Sequence, residues 1–285
     1  MNPEDVSVVV QGPLGPYSSE VLSAVRQFLP GAELILSTWQ GAEIGQLDVD
    51  ELVLSEDPGS VPYWPGTHRL FNTVRLQRST RNGVLASSRP WVLKLRTDTP
   101  MTSSAVLSWE DRYPARSPEL RVFGERVLTS VIATRPSRHM PGYLFHPSDC
   151  VHFGRAADLV QLWDGPESDE RGNAAYWLPG GAGRGENPGS RGPALWNEQL
   201  VWLGALRRAG HEISYPYYGF TAPGLDEVSD LSIVNNFVVL EPWQLGVAMP
   251  KLQALARGSG VDSYLWHEDW LELYDHHCLA AGAGS

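Results

Sequence analysis

The sequence is short of cysteine, of lysine, of net positive charge and of long apolar runs, and each shortage closes a class of explanation. Its two cysteines, Cys150 and Cys278, match neither a Cys-x-x-Cys pair nor a paired-thiolate zinc site. No disulfide framework is indicated, and reduced thiols are expected. No run of about 18 apolar residues exists, which excludes a membrane-spanning helix and leaves only peripheral membrane contact open. Acidic residues outnumber basic ones 33 to 22, for a formal net charge of −11. General nucleic-acid binding, whose affinity rests on a basic surface, is therefore not expected. Of the basic residues only Lys94 and Lys251 are lysines, a bias that carries no functional message. The start, MNPEDVSVVV, is acidic where an export signal is basic, and its apolar run breaks at Gln11-Gly12-Pro13. A cytoplasmic protein is the expectation.

What is present is enough for a sizeable core: 285 residues, 42% of them hydrophobic, suit one large domain or two small ones. Val6 to Val10 reads as a strand and Tyr17 to Leu29 as a helix, with Val21, Leu22, Val25, Phe28 and Leu29 at helical spacing. Glu33 to Ser37, Glu51 to Leu54 and Trp91 to Leu95 repeat the short apolar strand, and Leu70 to Ser88 reads as mostly helical. This alternation predicts an α/β fold with a parallel sheet. Strands are also expected within Arg121 to Thr134, within Tyr143 to Phe153 and at Ile213 to Tyr217. Helices are expected at Arg155 to Trp163, Asn197 to Ala209 and Ser263 to His277, with a flexible tail over 279–285. Gly165 to Ala194, with eight glycines and four prolines, reads as a long mobile loop of the lid or binding-loop kind.

In open parallel sheets ligands bind where the strands end. Three polar clusters stand at those ends: Gln11-Gly12-Pro13, Ser37-Thr38-Trp39 and Arg96-Thr97-Asp98-Thr99. From Arg69 to Thr97 there are seven basic residues and no acidic one, which points to a local anion site; Arg forks suit phosphate, and Asp98 suits a divalent cation. The plainer alternative is a helix face that balances acidic neighbours. Three carboxylates stand near expected element ends: Asp98 either caps a helix or holds a metal, and Asp149 and Glu198 either cap a helix or act as a base. The eleven tryptophans are mostly expected in the core, and Trp39 is singled out as either a ligand platform or a wedge.

Several motifs fail on spacing. Gly180-Gly181-Ala182-Gly183-Arg184-Gly185 lacks the G-x-G-x-x-G spacing and follows no strand. His267-Glu268-Asp269-Trp270-Leu271 has leucine where a zinc-protease helix needs its second histidine. His276 and His277 point about 100° apart on a helix, so at most one is expected to serve a metal.

The segments VVVQGPLG (8–15), ELILSTWQG (33–41), LVLSEDPG (52–59), NTVRLQRSTRNGVLAS (72–87), WVLKLRTDT (91–99), LFHPSDCVHFG (144–154) and NNFVVL (235–240) run in order across most of the chain. Together they resemble the WavE family of lipopolysaccharide-synthesis proteins. The resemblance implies a glycosyltransferase on a single GT-A-like domain spanning 1–285, an open, mostly parallel sheet flanked by helices. In it 1–99 would form the nucleotide-sugar half and 100–278 a less regular acceptor half. KLRTDT would stand where such enzymes carry an Asp-x-Asp metal motif, with Arg96 in place of the first aspartate. On that reading Gln11, Gly12, Ser37, Thr38 and Trp39 would bind the nucleoside end of the donor, with Asn72 a further donor-binding residue. Arg75, Arg78, Lys94 and Arg96 would bind the diphosphate, and Asp98 a Mg2+ or Mn2+ ion. Asp149 or Glu198 would deprotonate a glycan or small glycosylated acceptor, with His152 and His276 as the next bases. A non-catalytic sugar or nucleotide-sugar binding protein of the same fold is the alternative.

Overall fold

The structure, a computed structural model, describes residues 1–63, 67–109, 112–138, 143–183, 193–249 and 264–280. In chain order its elements are β1 (Val6–Gln11), α1 (Ser18–Phe28), β2 (Glu33–Trp39), β3 (Glu51–Ser55), β4 (Val61–Pro62), β5 (Leu70–Phe71), α2 (Thr73–Ala86), β6 (Trp91–Arg96), β7 (Val127–Ser130), β8 (His152–Arg155), α3 (Ala156–Trp163), α4 (Glu170–Ala175), α5 (Asn197–Arg208), α6 (Leu225–Asn236), β9 (Phe237–Leu240), α7 (Pro242–Leu245) and α8 (His267–Tyr274). Seven strands form one sheet in the order β3-β2-β1-β6-β8-β7-β9, while β4 and β5 make a separate short hairpin. Only β8 runs antiparallel to its sheet neighbours; the remaining pairings within the sheet are parallel. The α/β architecture and the GT-A-like arrangement expected from the sequence are both present.

The central strands are mostly apolar and almost wholly buried because both faces of the sheet are covered, as parallel strands require. Their alternation divides the core in two. Val8, Val10, Leu34, Leu36, Leu93 and Leu95 face Val21, Leu22 and Val25 of α1. Val9, Ile35 and Val92 face the other way and share a cluster with Val84 of α2, Leu159 and Leu162 of α3 and Trp202 of α5. On that second face α2 lies close to the sheet: a Cβ added at Gly83 would stand 2.4 Å from Val9 Cγ1 and 3.0 Å from Ser37 Cβ. Gly83→Ala is therefore expected to destabilise the fold. Overpacking costs about 1–3 kcal/mol against a helix-propensity gain of at most about 1 kcal/mol. A urea midpoint equal to or above wild type would refute the close approach.

The sheet is mostly parallel, as expected, with only β8 reversed. Two expectations are corrected. Ile213 to Tyr217 forms no strand; Pro216 has no N–H for a ladder. Gly165 to Ala194 is not wholly irregular, because α4 forms within it with Asp169 as N-cap, accepting from the Gly172 N–H; residues 184–192 of that stretch lie outside the described residues, as do Ser263 and 281–285. The helix α6 was not foreseen, and its sequence explains why. Its buried residues include Ser229, Asp230, Ser232, Asn235 and Asn236, so it has no simple apolar stripe. Hydrogen bonds hold it instead: Ser229 Oγ accepts from the Phe145 N–H at 2.8 Å, Ser232 Oγ from Trp202 Nε1 at 3.1 Å, and Asn236 Oδ1 from the Val122 N–H at 2.8 Å.

Candidate functional site

Three parallel strands finish side by side, for Gln11 at the end of β1 is in register with Ser37 of β2 and Arg96 of β6. Beyond them Gly12 turns the chain with φ 119°, and the Thr97 hydroxyl donates to the Pro13 carbonyl at 2.8 Å. A cleft of about 400 Å3 opens there. Its walls include Gln11, Gly12 and Tyr17 from the first loop, Trp39 from β2, Asn72, Arg75 and Ser79 from the start of α2, Arg96 and Asp98 after β6, and Asp149 and Asn197. Ser79 is the tie beneath it: its hydroxyl donates to Gln11 Oε1 at 2.7 Å, and its carbonyl accepts from Ser37 Oγ at 2.7 Å.

Not every residue expected at the site reaches this cleft. Gln11, Gly12, Trp39, Asn72, Arg75, Arg96, Asp98 and Asp149 line it. Ser37 and Thr38 are buried beneath the sheet edge. Arg78 turns outward, with Nε 2.6 Å and Nη2 2.8 Å from the two carboxylate oxygens of Glu167, and Arg81 pairs with Asp164 at 2.6 Å. For these two, the reading of a helix face balancing acidic neighbours is the one that describes their positions. Neither Asp98 nor Asp149 starts a helix, so the capping reading of both is corrected.

The two arginines that do line the cleft are forked onto carboxylates. Arg96 donates from Nε at 2.9 Å and Nη2 at 3.0 Å to the two oxygens of Asp98, and Arg75 makes the same two-pronged contact with Asp57. Asp57 was not foreseen, although SEDPG places an acid just beyond β3. The Arg96 side chain remains 38% exposed, so its fork is accessible from the cleft.

Lys94 performs a different task from the one expected. It is fully buried, and its ammonium donates to the carbonyls of Asp149 and, at 3.3 Å, Cys150. Burial pushes it down to about 8. With His152 Nε2 2.8 Å from the Ser148 carbonyl, the Thr129 hydroxyl donating to that carbonyl at 3.1 Å and the Ser148 N–H donating to Thr134 Oγ1 at 2.9 Å, Lys94 pins the turn that presents Asp149. Burial, with Lys94 close by, pushes His152 down to about 3, so it is neutral and spent on structure.

Glu198 lies in the first turn of α5, next to cleft-lining Asn197. Burial, and then the charge of Asp149, raise its carboxyl to about 8. Its Oε2 faces His146 Nε2 at 3.6 Å, while His146 Nδ1 lies 2.8 Å from the Ala133 carbonyl. A nitrogen that donates to a carbonyl leaves the other ring nitrogen as an acceptor, and burial holds His146 near 3. A neutral imidazole turning a lone pair toward Glu198 favours the protonated acid, in agreement with the shift. Ala133 and Phe145 hold left-handed backbone, φ 72° and 55°, on either side of this contact. For residues other than glycine that is a strained conformation of the kind found at functional sites.

Around Glu198 runs an unforeseen row of half-buried aromatic rings. Tyr63, Trp196, Tyr218 and Tyr143 follow one another with centroids 5.8, 6.0 and 5.8 Å apart, and Tyr143 lies 5.7 Å from the His146 ring. The only sequence signal was Trp196 two residues before Glu198. These rings come from four separate segments, and folding alone assembles them.

The model of the family described as WavE lipopolysaccharide synthesis matches residues 6–283, and the chain belongs to that family. No curated protein matches it. Membership ties the chain to lipopolysaccharide synthesis. Among the described residues no helix is long and apolar enough to cross a membrane.

Proposed function

We propose that this chain is a glycosyltransferase that moves a sugar from a nucleoside-diphosphate donor to a hydroxyl of a glycan or small glycosylated acceptor. The observation that carries this reading is the junction of two environments: a cleft at the sheet's carboxyl edge holding the Arg96–Asp98 pair, and, beside it, a carboxyl raised to about 8. Gln11, Gly12, Trp39 and Asn72 bind the nucleoside end. Arg96 exchanges its carboxylate partner for a phosphate, a trade its planar fork favours, and Arg75 lines the same cleft. Residues 1–99 supply the donor half and 100–278 the acceptor half.

Asp98 and Asp149 are the carboxylates lining the cleft among the described residues. They are hard oxygen donors of the kind Mg2+ or Mn2+ takes in ones and twos, with water and phosphate completing the shell. The donor set fits such an ion once Arg96 has turned to phosphate and released Asp98. When bound, the ion supplies charge neutralisation for the departing diphosphate. Glu198 accepts the proton of the acceptor hydroxyl as its oxygen bonds to the anomeric carbon, and the bond from that carbon to the diphosphate oxygen breaks. The aromatic row from Tyr63 to Tyr143 offers faces on which an acceptor sugar stacks.

The test is a panel of nucleotide sugars with Mg2+ or Mn2+ and a broad acceptor set, read by thermal shift and by release of nucleoside diphosphate. A donor at 100 times its dissociation constant stabilises by about 2.7 kcal/mol. Stabilisation with acceptor-dependent release supports transfer. Stabilisation without release returns a non-catalytic nucleotide-sugar binder, and the absence of both stabilisation and release overturns the reading.

A further inference from the structure

Away from the cleft, α8 does not end as an ordinary helix. It continues into a wider turn over Asp275–Leu279, closed by the Ala280 N–H donating to the Asp275 carbonyl. This turn packs against α6, whose first turn carries Glu227. On a regular helix adjacent histidines diverge by about 100°, and at most one was expected to serve a metal. The wider turn alters that geometry. The His276 and His277 rings stand edge to face with centroids 4.6 Å apart, and their Nε2 atoms approach the same carboxylate oxygen of Glu227 at 3.9 and 3.6 Å.

One donor atom from each of the three residues lies within 4.8 Å of the other two. Zinc bonds of about 2.0–2.1 Å in tetrahedral array hold ligand atoms roughly 3.3 Å apart, so a few tenths of an ångström of side-chain adjustment closes the observed distances to Glu227. A groove beside the cluster is lined by Glu227, His277 and His211. Among the described residues the buried Nε2 of His211 has no hydrogen-bond partner, which adds a further uncommitted imidazole nitrogen. Two imidazoles with one carboxylate form a mixed nitrogen and oxygen set that suits zinc and its transition-metal neighbours better than Mg2+.

We propose that Glu227, His276 and His277 form a binding site for a zinc-class divalent cation that ties the carboxyl-terminal turn to the start of α6. Three protein ligands leave the fourth position to water. The site is separate from the donor cleft, and its standing does not depend on the proposed transfer activity.

Full-length protein stripped with chelator and titrated with ZnCl2 against a chromophoric competitor is expected to bind one equivalent that excess Mg2+ does not displace. Glu227→Gln and His276→Ala alter exposed side chains, so both variants should fold. Each is expected to weaken that equivalent beyond the roughly 10–100-fold typical of losing only a ligand's hydrogen-bond partner. Asp98→Ala is expected to retain it. In thermal melts Zn2+ should raise the midpoint of the parent and leave the Glu227→Gln midpoint unmoved. Absence of a tight equivalent, or affinity unchanged in both variants, overturns the site and leaves two histidines paired with a glutamate.

Discussion

Glu198→Gln is expected to lower turnover by about 10²- to 10⁴-fold, the usual worth of a positioned base, while nucleotide-sugar affinity remains that of the parent. The amide keeps the shape of the side chain and its place at the start of α5, and loses only the ability to accept a proton. The pH profile separates this from a general loss of structure. Glu198 is raised from an ordinary 4.5 to about 8, first by burial and then by Asp149. A base works deprotonated, so kcat/KM of the parent should climb as pH rises through about 8, and this limb should vanish in the variant. Stability runs the opposite way. A carboxyl whose folded value is raised binds more protons folded than unfolded, so its contribution is full below about 4.5 and is lost as pH rises through about 8. Glu198→Gln should flatten that decline. Parent-like turnover in the variant, or an unchanged rising limb, would move the base to Asp149.

Asp98→Ala is expected to reduce transfer by about 10²- to 10³-fold, the cost of removing one preorganised electrostatic contact at a leaving group. It should also abolish any tightening of nucleoside-diphosphate binding by Mg2+ or Mn2+. The carboxylate has two tasks in the proposed cycle: it holds the Arg96 fork at 2.9 and 3.0 Å in the free protein, and it receives the cation once Arg96 has moved to phosphate. Removing it should leave the fold standing, because Asp98 caps no helix. Calorimetric titration of the diphosphate with and without cation reads the second task, and turnover reads both. Wild-type turnover would end the assignment. Turnover lost while cation dependence of binding survives would keep Asp98 as the partner of Arg96 and pass the ion to other ligands.

The first half of the fold was open to reading because its strands are buried on both faces. Such strands must be short apolar runs, and VSVVV, ELILS and WVLKL are of that kind. Their polar ends then marked the cleft, since Gln11 directly follows an apolar run, and Trp39 and Asp98 stand within three residues of one. The second half resisted because its burial is polar. The serines and asparagines of α6 look like surface in a sequence and become core through hydrogen bonds to Phe145, Trp202 and Val122. The charge pattern of Arg69 to Thr97 was legible only as a set; which member faces the cleft depends on partners far away in the chain. Arg78 is claimed by Glu167 and Lys94 by the carbonyls of Asp149 and Cys150.

By itself, then, the sequence determined the α/β class, the strand ends that open onto the cleft and the membership in a family of lipopolysaccharide synthesis, because these rest on local periodicity and on ordered motifs. Only the tertiary structure decided that Arg96 grips Asp98, that Glu198 is raised beside a neutral His146, and that His276 and His277 turn to one glutamate. Each of these depends on burial or on the approach of segments distant in sequence, and a carboxyl acquires its proton affinity from whatever folding brings around it.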